Sequence, residues 1–209
     1  MCVSPISIPN PSRRFYQGLS RNYVQVPCGK CVQCQDSVRN DWFVRADAEF
    51  RYYTQVLHGS VWFITLTYND EHCPVFMPKF YDVEHGNFYE YMLCFNRYDI
   101  QKFLKRVRTY IDRGELGDGK SSQNIKYIIT SEYGSTTARP HYHGALFLPF
   151  KVSEHQLYKL LEKAWTRYDR SKRKYDKIGF VSFSNKGAKI EDNKCLRYIC
   201  KYMSLPFFI

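Results

Sequence analysis

The stretch IKYIITSEYGSTTARPHYHGALFLP, Ile125–Pro149, decides the fold. Its two ends, IKYIITSEY (Ile125–Tyr133) and HYHGALFLP (His141–Pro149), are rich in β-branched and aromatic residues and read as strands. GSTTARP between them reads as a hairpin connector. Successive side chains of a strand alternate between faces, so His141 and His143 point the same way and Tyr142 points the other. Glu132 lies near the end of the first strand and His141 at the start of the second. Pairing across the connector puts Glu132 beside His141, on the face that also carries His143. Two imidazoles and a carboxylate on one face make a three-ligand site with open positions, suited to Mn²⁺, Mg²⁺ or Zn²⁺. The alternative is three polar side chains on the wet face of a half-buried sheet, and the hairpin alone leaves that open.

Working outward, residues 36–56, DSVRNDWFVRADAEFRYYTQV, read as a helix whose apolar positions Val38, Trp42, Ala46, Phe50 and Tyr53 recur at spacings of three and four. VWFITLTY (Val61–Tyr68) reads as a strand. Residues 69–96 contain Pro74, Pro78 and Gly86 without a clear period and are expected to be a loop insertion. DIQKFLKRVRTYI is an amphipathic helix with Ile100, Phe103, Leu104, Val107 and Ile111 as its stripe. SEHQLYKLLEKAWTRY opens with a capping box, Ser153 and Gln156, and turns Leu157, Leu160, Leu161 and Ala164 inward. The basic run RYDRSKRKYDK leads to the strand IGFVSFS, and NKCLRYICKYMSL closes the chain as a short helix. Residues 1–27, broken by Pro5, Pro9, Pro11 and Pro27, are expected to be irregular. The order α, β, α, β, β, α, β, α predicts an α+β fold: a central antiparallel sheet carrying the hairpin in its middle, with helices on one face.

The 209 residues suffice for one domain with a small appendage. We divide them into a cysteine-rich segment, 1–36, and a main domain, 37–209. Apolar residues at 44% and aromatics at 17% exclude a disordered chain. Lys and Arg number 31 against 20 Asp and Glu, a net charge of +11 that points to a polyanion, nucleic acid before a membrane surface. No apolar run approaches the roughly 18 residues of a membrane helix, and MCVSPISIPNPSRR lacks the features of a secretory signal. A cytosolic location is expected, so the eight cysteines read as thiols or metal ligands. Cys28, Cys31 and Cys34 have C-x-x-C-x-x-C spacing, which suits a structural zinc with Cys2 as fourth ligand. Three reduced thiols at a helix start, or an iron–sulfur cluster, are the alternatives. Cys73, Cys94, Cys195 and Cys200 show no ligand spacing.

In the last helix Tyr198 and Tyr202 are four residues apart and share a face, while Leu196, Ile199 and Met203 form a separate arc. Lys194 and Lys201 lie beside the tyrosines. Such phenols are either amphipathic residues at a core edge or nucleophiles toward phosphate. The parts cohere as one chemistry: a metal polarises a scissile phosphate, a tyrosine oxygen attacks phosphorus, and Lys201 offsets charge. Two tyrosines on one face allow a second attack before the first adduct is released. Arg167, Arg170, Lys172, Arg173, Lys174 and Lys177, interleaved with Tyr168 and Tyr175, are candidates for a DNA groove or simply a solvated loop. Arg139 and Lys194 join them as candidate DNA contacts.

At this point the chain resembles the rolling-circle replication initiators of the HUH endonuclease superfamily, most closely those of gokushovirus-like microviruses, which are single-stranded DNA phages. FITLTY (Phe63–Tyr68) is similar to the family's first motif and EYGSTTARPHYHGALF to its second. YICKY, with Tyr198, Lys201 and Tyr202, is similar to the third in its two-tyrosine form. VPCGKCVQC and Cys2 resemble the N-terminal segment of the same phage proteins. The resemblance implies an RRM/palm-like HUH fold, with His141, His143 and Glu132 as ligands of Mg²⁺ or Mn²⁺. It implies a tyrosine that joins the 5′-phosphate of single-stranded origin DNA and frees a 3′-hydroxyl. It also implies a host helicase and DNA polymerase as partners, and the cytoplasm of the phage's bacterial host as the location. Initiators of this kind usually continue beyond the third motif, so this chain, which ends six residues after Met203, is expected to be a truncated form or a nicking domain. A relaxase or single-strand transposase would use the same chemistry on other DNA. A zinc-stabilised DNA-binding module without catalysis needs none of Glu132, the histidines, the tyrosines or Lys201. A histidine-triad hydrolase needs a further downstream histidine, which Gly144, Ala145 and Leu146 do not supply.

Overall fold

The computed structural model describes residues 2–10, 23–76, 92–183 and 189–204. Two short strands, β1 (Ile6–Pro9) and β2 (Tyr23–Val26), pair antiparallel with Ile6 opposite Val26. The expectation of an irregular stretch over 1–27 is therefore corrected: at least its flanks form a ribbon. Pro9 is tolerated because it sits at the end of a strand with no third neighbour. Pro11 lies outside the described residues.

The first helix, α1 (Val32–Arg51), begins ahead of the expected start at residue 36 and runs on through a π-helical turn, Tyr52–Val56. It therefore crosses the 36/37 division. Ala46 and Tyr53 are buried as expected, and Phe50 packs against them. Val38 and Trp42 are not, because the N-terminal half of α1 extends past the sheet.

Strand β3 (Ser60–Tyr68) follows. Two-residue strands β4 (Val75–Phe76) and β5 (Met92–Leu93) pair inside the stretch expected to be a loop, and residues 77–91, with Pro78 and Gly86, lie outside the described residues. Helix α2 (Arg97–Asp112) is capped by Asn96, whose side chain accepts from the Tyr98 N–H at 3.0 Å. Then come β6 (Lys126–Tyr133), β7 (Pro140–Leu148) and α3 (Glu154–Ala164). Ser153 Oγ caps α3 by accepting from the Gln156 N–H at 3.3 Å and donates to Gln156 Oε1 at 2.8 Å. The basic run folds as its own hairpin, β8 (Thr166–Asp169) with β9 (Lys174–Lys177), ahead of β10 (Gly179–Phe183) and α4 (Lys194–Lys201).

The central sheet has the order β10-β3-β7-β6 and is antiparallel throughout. The expected hairpin forms, but β7 and β3 are central while β6 is an edge. Helices cover both faces, not one. Leu157, Leu160, Leu161 and Ala164 of α3, and Phe103, Leu104, Val107 and Ile111 of α2, pack with Trp62, Ile64, Leu66, Tyr142, Leu146 and Leu148. On the other face Ala46 of α1 and Leu196, Ile199 and Cys200 of α4 pack with Val61, Phe63, Ala145 and Phe147. The reason is in β3 itself: VWFI is an unbroken apolar run, so both of its faces require cover.

One buried polar cluster ties the α2/α3 face together. Tyr68 OH donates to Asp99 Oδ2 at 3.0 Å and lies 3.3 Å from Tyr142 OH. Arg167 reaches the same carboxylate through Nη2 at 2.6 Å and Nε at 3.3 Å. Burial pushes the Tyr142 phenol up to about 12. Replacing Asp99 by Ala leaves Arg167 and Tyr68 without their acceptor. It is expected to lower unfolding free energy by about 3–5 kcal/mol in urea denaturation, as for a broken buried pair; a loss below about 1 kcal/mol would show the cluster to be incidental.

Candidate active site

The hairpin register settles which side chains meet. Glu132 is opposite His141, Thr130 opposite His143, and on the other flank Thr65 is opposite His143 and Thr67 opposite His141. Directly opposed residues share a face. Thr65, His141, His143 and Glu132 therefore lie together on the face that α4 covers, and Tyr142 between the histidines points into the opposite core.

His143 is held from three sides. Its Nδ1 is 2.9 Å from Thr65 Oγ1, its ring stacks against Phe63 with centroids 5.8 Å apart, and Nε2 lies 3.4 Å from Glu132 Oε2. With Nδ1–H donating to Thr65, the lone pair of Nε2 faces the carboxylate side, the orientation that a metal ligand needs. His141 has its ring centroid 6.3 Å from that of His143. Its Nδ1 is buried and has no hydrogen-bond partner among the described residues. Gly134 allows the ring its place, because a Cβ there would stand 2.8 Å from Nε2. The three donors are thus gathered on one face but not drawn into a single sphere in this structure. Among the described residues, the only group whose donor atoms all lie within 4.8 Å of one another is the cysteine cluster described below. An orphaned imidazole nitrogen, a tautomer-fixed second imidazole and a facing carboxylate nonetheless fit a divalent cation.

Helix α4 brings its tyrosines to this point. Leu196, Ile199 and Cys200 are buried, so Tyr198 and Tyr202 are turned along the sheet. Tyr198 OH donates to Glu132 Oε2 at 3.2 Å and its ring is 5.8 Å from His143. Tyr202, in the 3₁₀ turn Tyr202–Ser204, donates to Tyr198 OH at 3.5 Å. Burial, and then the bond to Tyr198, push the Tyr202 phenol well above the ordinary tyrosine range. Lys201 Nζ sits 5.6 Å from the Tyr202 ring. Lys194, at the start of α4, is paired with Asp192 at 3.4 Å.

The candidate DNA contacts are heavily engaged within the chain. Arg139 donates to the Tyr68 carbonyl at 2.9 Å and pairs with Asp70. Arg167 is held by Asp99, Lys172 by Asp176 at 2.8 Å, and Lys174 by Asp176 at 3.4 Å. Arg170 and Arg173 lie at the tip of the β8–β9 hairpin, both exposed, with Arg173 at φ 51°.

The β1–β2 ribbon carries Cys2 to the start of α1, where Cys28, Cys31 and Cys34 converge. Cys28 Sγ lies 3.9 Å from Cys34 Sγ, and Cys31 Sγ lies 3.8 Å from Cys2 Sγ. Zinc–sulfur bonds of about 2.3 Å in a tetrahedron require S···S edges of about 3.8 Å, so the cluster fits a tetrahedral ion. Backbone N–H groups of Val3 and Cys34 hold the Cys31 thiol down at about 6, and that of Cys28 lowers Cys2. Thiolates are the form that binds metal.

Thr65, Phe63 and Gly134 escaped the sequence reading. The alternation of FITLTY could have found the first two, since Phe63, Thr65 and Thr67 share a face. Nothing local marked Gly134.

A family model described as replication-associated protein ORF2 matches residues 61–206, from β3 to beyond α4. The chain is 35% identical to replication-associated protein ORF2 of Spiroplasma virus 4 over 140 residues, 62% of this chain and 34% of that protein. It is 28% identical to replication-associated protein VP4 of Bdellovibrio phage phiMH2K over 142 residues, 67% and 38% of the two chains. With replication-associated protein ORF4 of Chlamydia phage 1 it shares 29% over 132 residues, 63% and 26% of the two. The matched stretch is thus about a third of each relative's length. No solved structure matches the chain. No helix among the described residues is long and apolar enough to cross a membrane.

Burial lowers both His141 and His143, more than Glu132 raises them. Their folded values lie below the ordinary 6.5 or so, so the unfolded chain takes up protons first. Stability from these rings is present above that pH and is lost as pH falls below it. A histidine NMR titration without added divalent ion should find both rings titrating below about 6.5; values above it would contradict the burial argument.

Proposed function

Because the chain belongs to this family of replication-associated proteins, we propose that it initiates phage DNA replication by nicking single-stranded origin DNA through a tyrosine. The observation that carries this reading is the Tyr198 hydroxyl, hydrogen-bonded to Glu132 Oε2 beside His143. His141, His143 and Glu132 are the residues that would hold Mg²⁺ or Mn²⁺. Such an ion supplies a Lewis acid for a phosphate oxygen.

The chain's own groups do the rest. Tyr198 Oη attacks phosphorus as its proton passes along the hydrogen bond to Glu132 Oε2. The bond from phosphorus to the 3′-oxygen breaks, and that oxygen takes up a proton to leave as the 3′-hydroxyl. The product is a 5′-phosphotyrosine, which keeps the bond energy for resealing. Lys201 offsets charge on the phosphate, and Thr65 positions His143. Tyr202 stands one hydroxyl farther from the carboxylate, so it acts second, on the adduct formed by Tyr198.

The cysteine cluster, with Cys2, Cys28, Cys31 and Cys34, holds a structural zinc that anchors segment 1–36 to the nicking domain, 37–209, through α1. Single-stranded origin DNA is the substrate, the host helicase and polymerase follow the nick, and the reaction takes place in the host cytoplasm. Arg170 and Arg173 at the tip of the β8–β9 hairpin, with Lys172 and Lys174 beside them, are backbone contacts for that DNA.

The test is covalent capture of origin oligonucleotides with Mn²⁺ on a denaturing gel. Tyr198→Phe should reduce first-strand adduct on the order of 10³-fold, as loss of a nucleophile does, while Tyr202→Phe retains it. Equal loss in the two single variants would overturn the order of attack. Absence of adduct with a validated, bound origin would overturn the chemistry.

Zinc is checked separately. Native mass spectrometry should find one zinc per chain after loosely bound metal is chelated, and none in Cys28→Ser/Cys31→Ser. Zinc-free wild-type protein would contradict the site.

A further inference from the structure

Beside His141, beyond the tyrosines, the sheet carries a groove of about 330 Å³ that no step above uses. Thr67, Asn69, Asp70, Arg139, His141 and Phe180 line it. Phe180 is opposite Thr67, and Thr67 opposite His141, so the three side chains stand on one face across adjacent strands. Two steps of about 4.8 Å put Phe180 roughly 10 Å from His141. Val181, its neighbour in the chain, is buried in the opposite core, yet Phe180 is 59% exposed. An exposed phenyl ring at the end of a polar row is costly to leave in water.

The groove's charges favour an anion at its rim. Lys177 Nζ stands 5.6 Å from the Phe180 ring and pairs with Glu162. Arg139 pairs with Asp70 at the groove's mouth, which leaves the carboxylate compensated. The whole chain carries +11.

We infer that Phe180 is the stacking platform for a nucleobase of single-stranded DNA, next to the nucleotide whose phosphate lies at the histidine pair. The inference rests on the reading that this face takes a DNA phosphate. An aromatic ring takes any base on its π-face, so the platform is tolerant of sequence and contributes affinity more than choice of site. Thr67 and Asn69 supply the hydroxyl and amide in the same groove.

Binding is the readout, measured by fluorescence anisotropy without added divalent metal, so that no cleavage intervenes. The probes are a labelled oligothymidylate and an abasic deoxyribose-phosphate oligomer of the same length. Phe180→Ala should weaken oligothymidylate binding roughly ten-fold or more and leave the abasic oligomer within about two-fold. Phe180→Trp should restore it. An equal effect on both probes, or none on either, would overturn the platform. Thermal unfolding of both variants controls for folding, which an exposed position should not disturb. If no origin oligonucleotide ever forms an adduct but the two probes are still told apart, the platform stands and the nicking chemistry falls.

Discussion

The candidate site depends on the register between β6, β7 and β3. Glu132 opposite His141 and Thr65 opposite His143 put four polar side chains on one face. A slip of one residue would send both histidines into the α2/α3 core and Tyr142 out to the tyrosine helix. That slip is blocked from behind. Tyr142 and Tyr68 are locked to Asp99 and, through it, to Arg167, and Leu146 and Leu148 are buried among the α2 and α3 side chains. The even-numbered residues of β7 hold the strand in place so that its odd-numbered residues can present chemistry.

Placement of the tyrosines is a second-order consequence. Helix α4 has little length of its own, eight residues, and is held by packing of Leu196 and Ile199 and by contacts to α1. Asn193 Nδ2 donates to Asp47 Oδ1 at 2.9 Å, and the Arg197 guanidinium lies 4.0 Å over the Phe43 ring. Since α1 starts inside the cysteine cluster, the N-terminal segment and the tyrosine helix are joined through one continuous element. Stabilising that cluster would steady the helix that α1 supports.

Much of this was legible from local pattern. The hairpin, the stripes of α2 and α3, the Ser153 cap and the split between Tyr198 and Leu196 all follow from periods of 2.0 and 3.6. The features that were not legible are long-range. The β1–β2 pairing joins strands separated by residues 10–22, and no tight-turn signal marks it. Helices on both faces were missed because the unbroken VWFI run was read for strand type and not for double-sided burial. Arg167 looked like one charge in a basic run, while its partner Asp99 lies 68 residues away in sequence. Gly134 matters only because His141 folds over it. The convergence of the histidines with Glu132 was visible in alternation alone; the Thr65 bond that orients His143 needed the third strand.

The claim on which the rest stands is that this face holds one divalent cation. Electron paramagnetic resonance of a manganese titration, on protein with its cysteine cluster intact, tests it most directly. The account predicts one Mn²⁺ per chain with histidine nitrogen coupling, lost in His141→Ala/His143→Ala, and a roughly 10- to 100-fold weaker site in Thr65→Val. Manganese bound with unchanged affinity after both histidines are removed would contradict it.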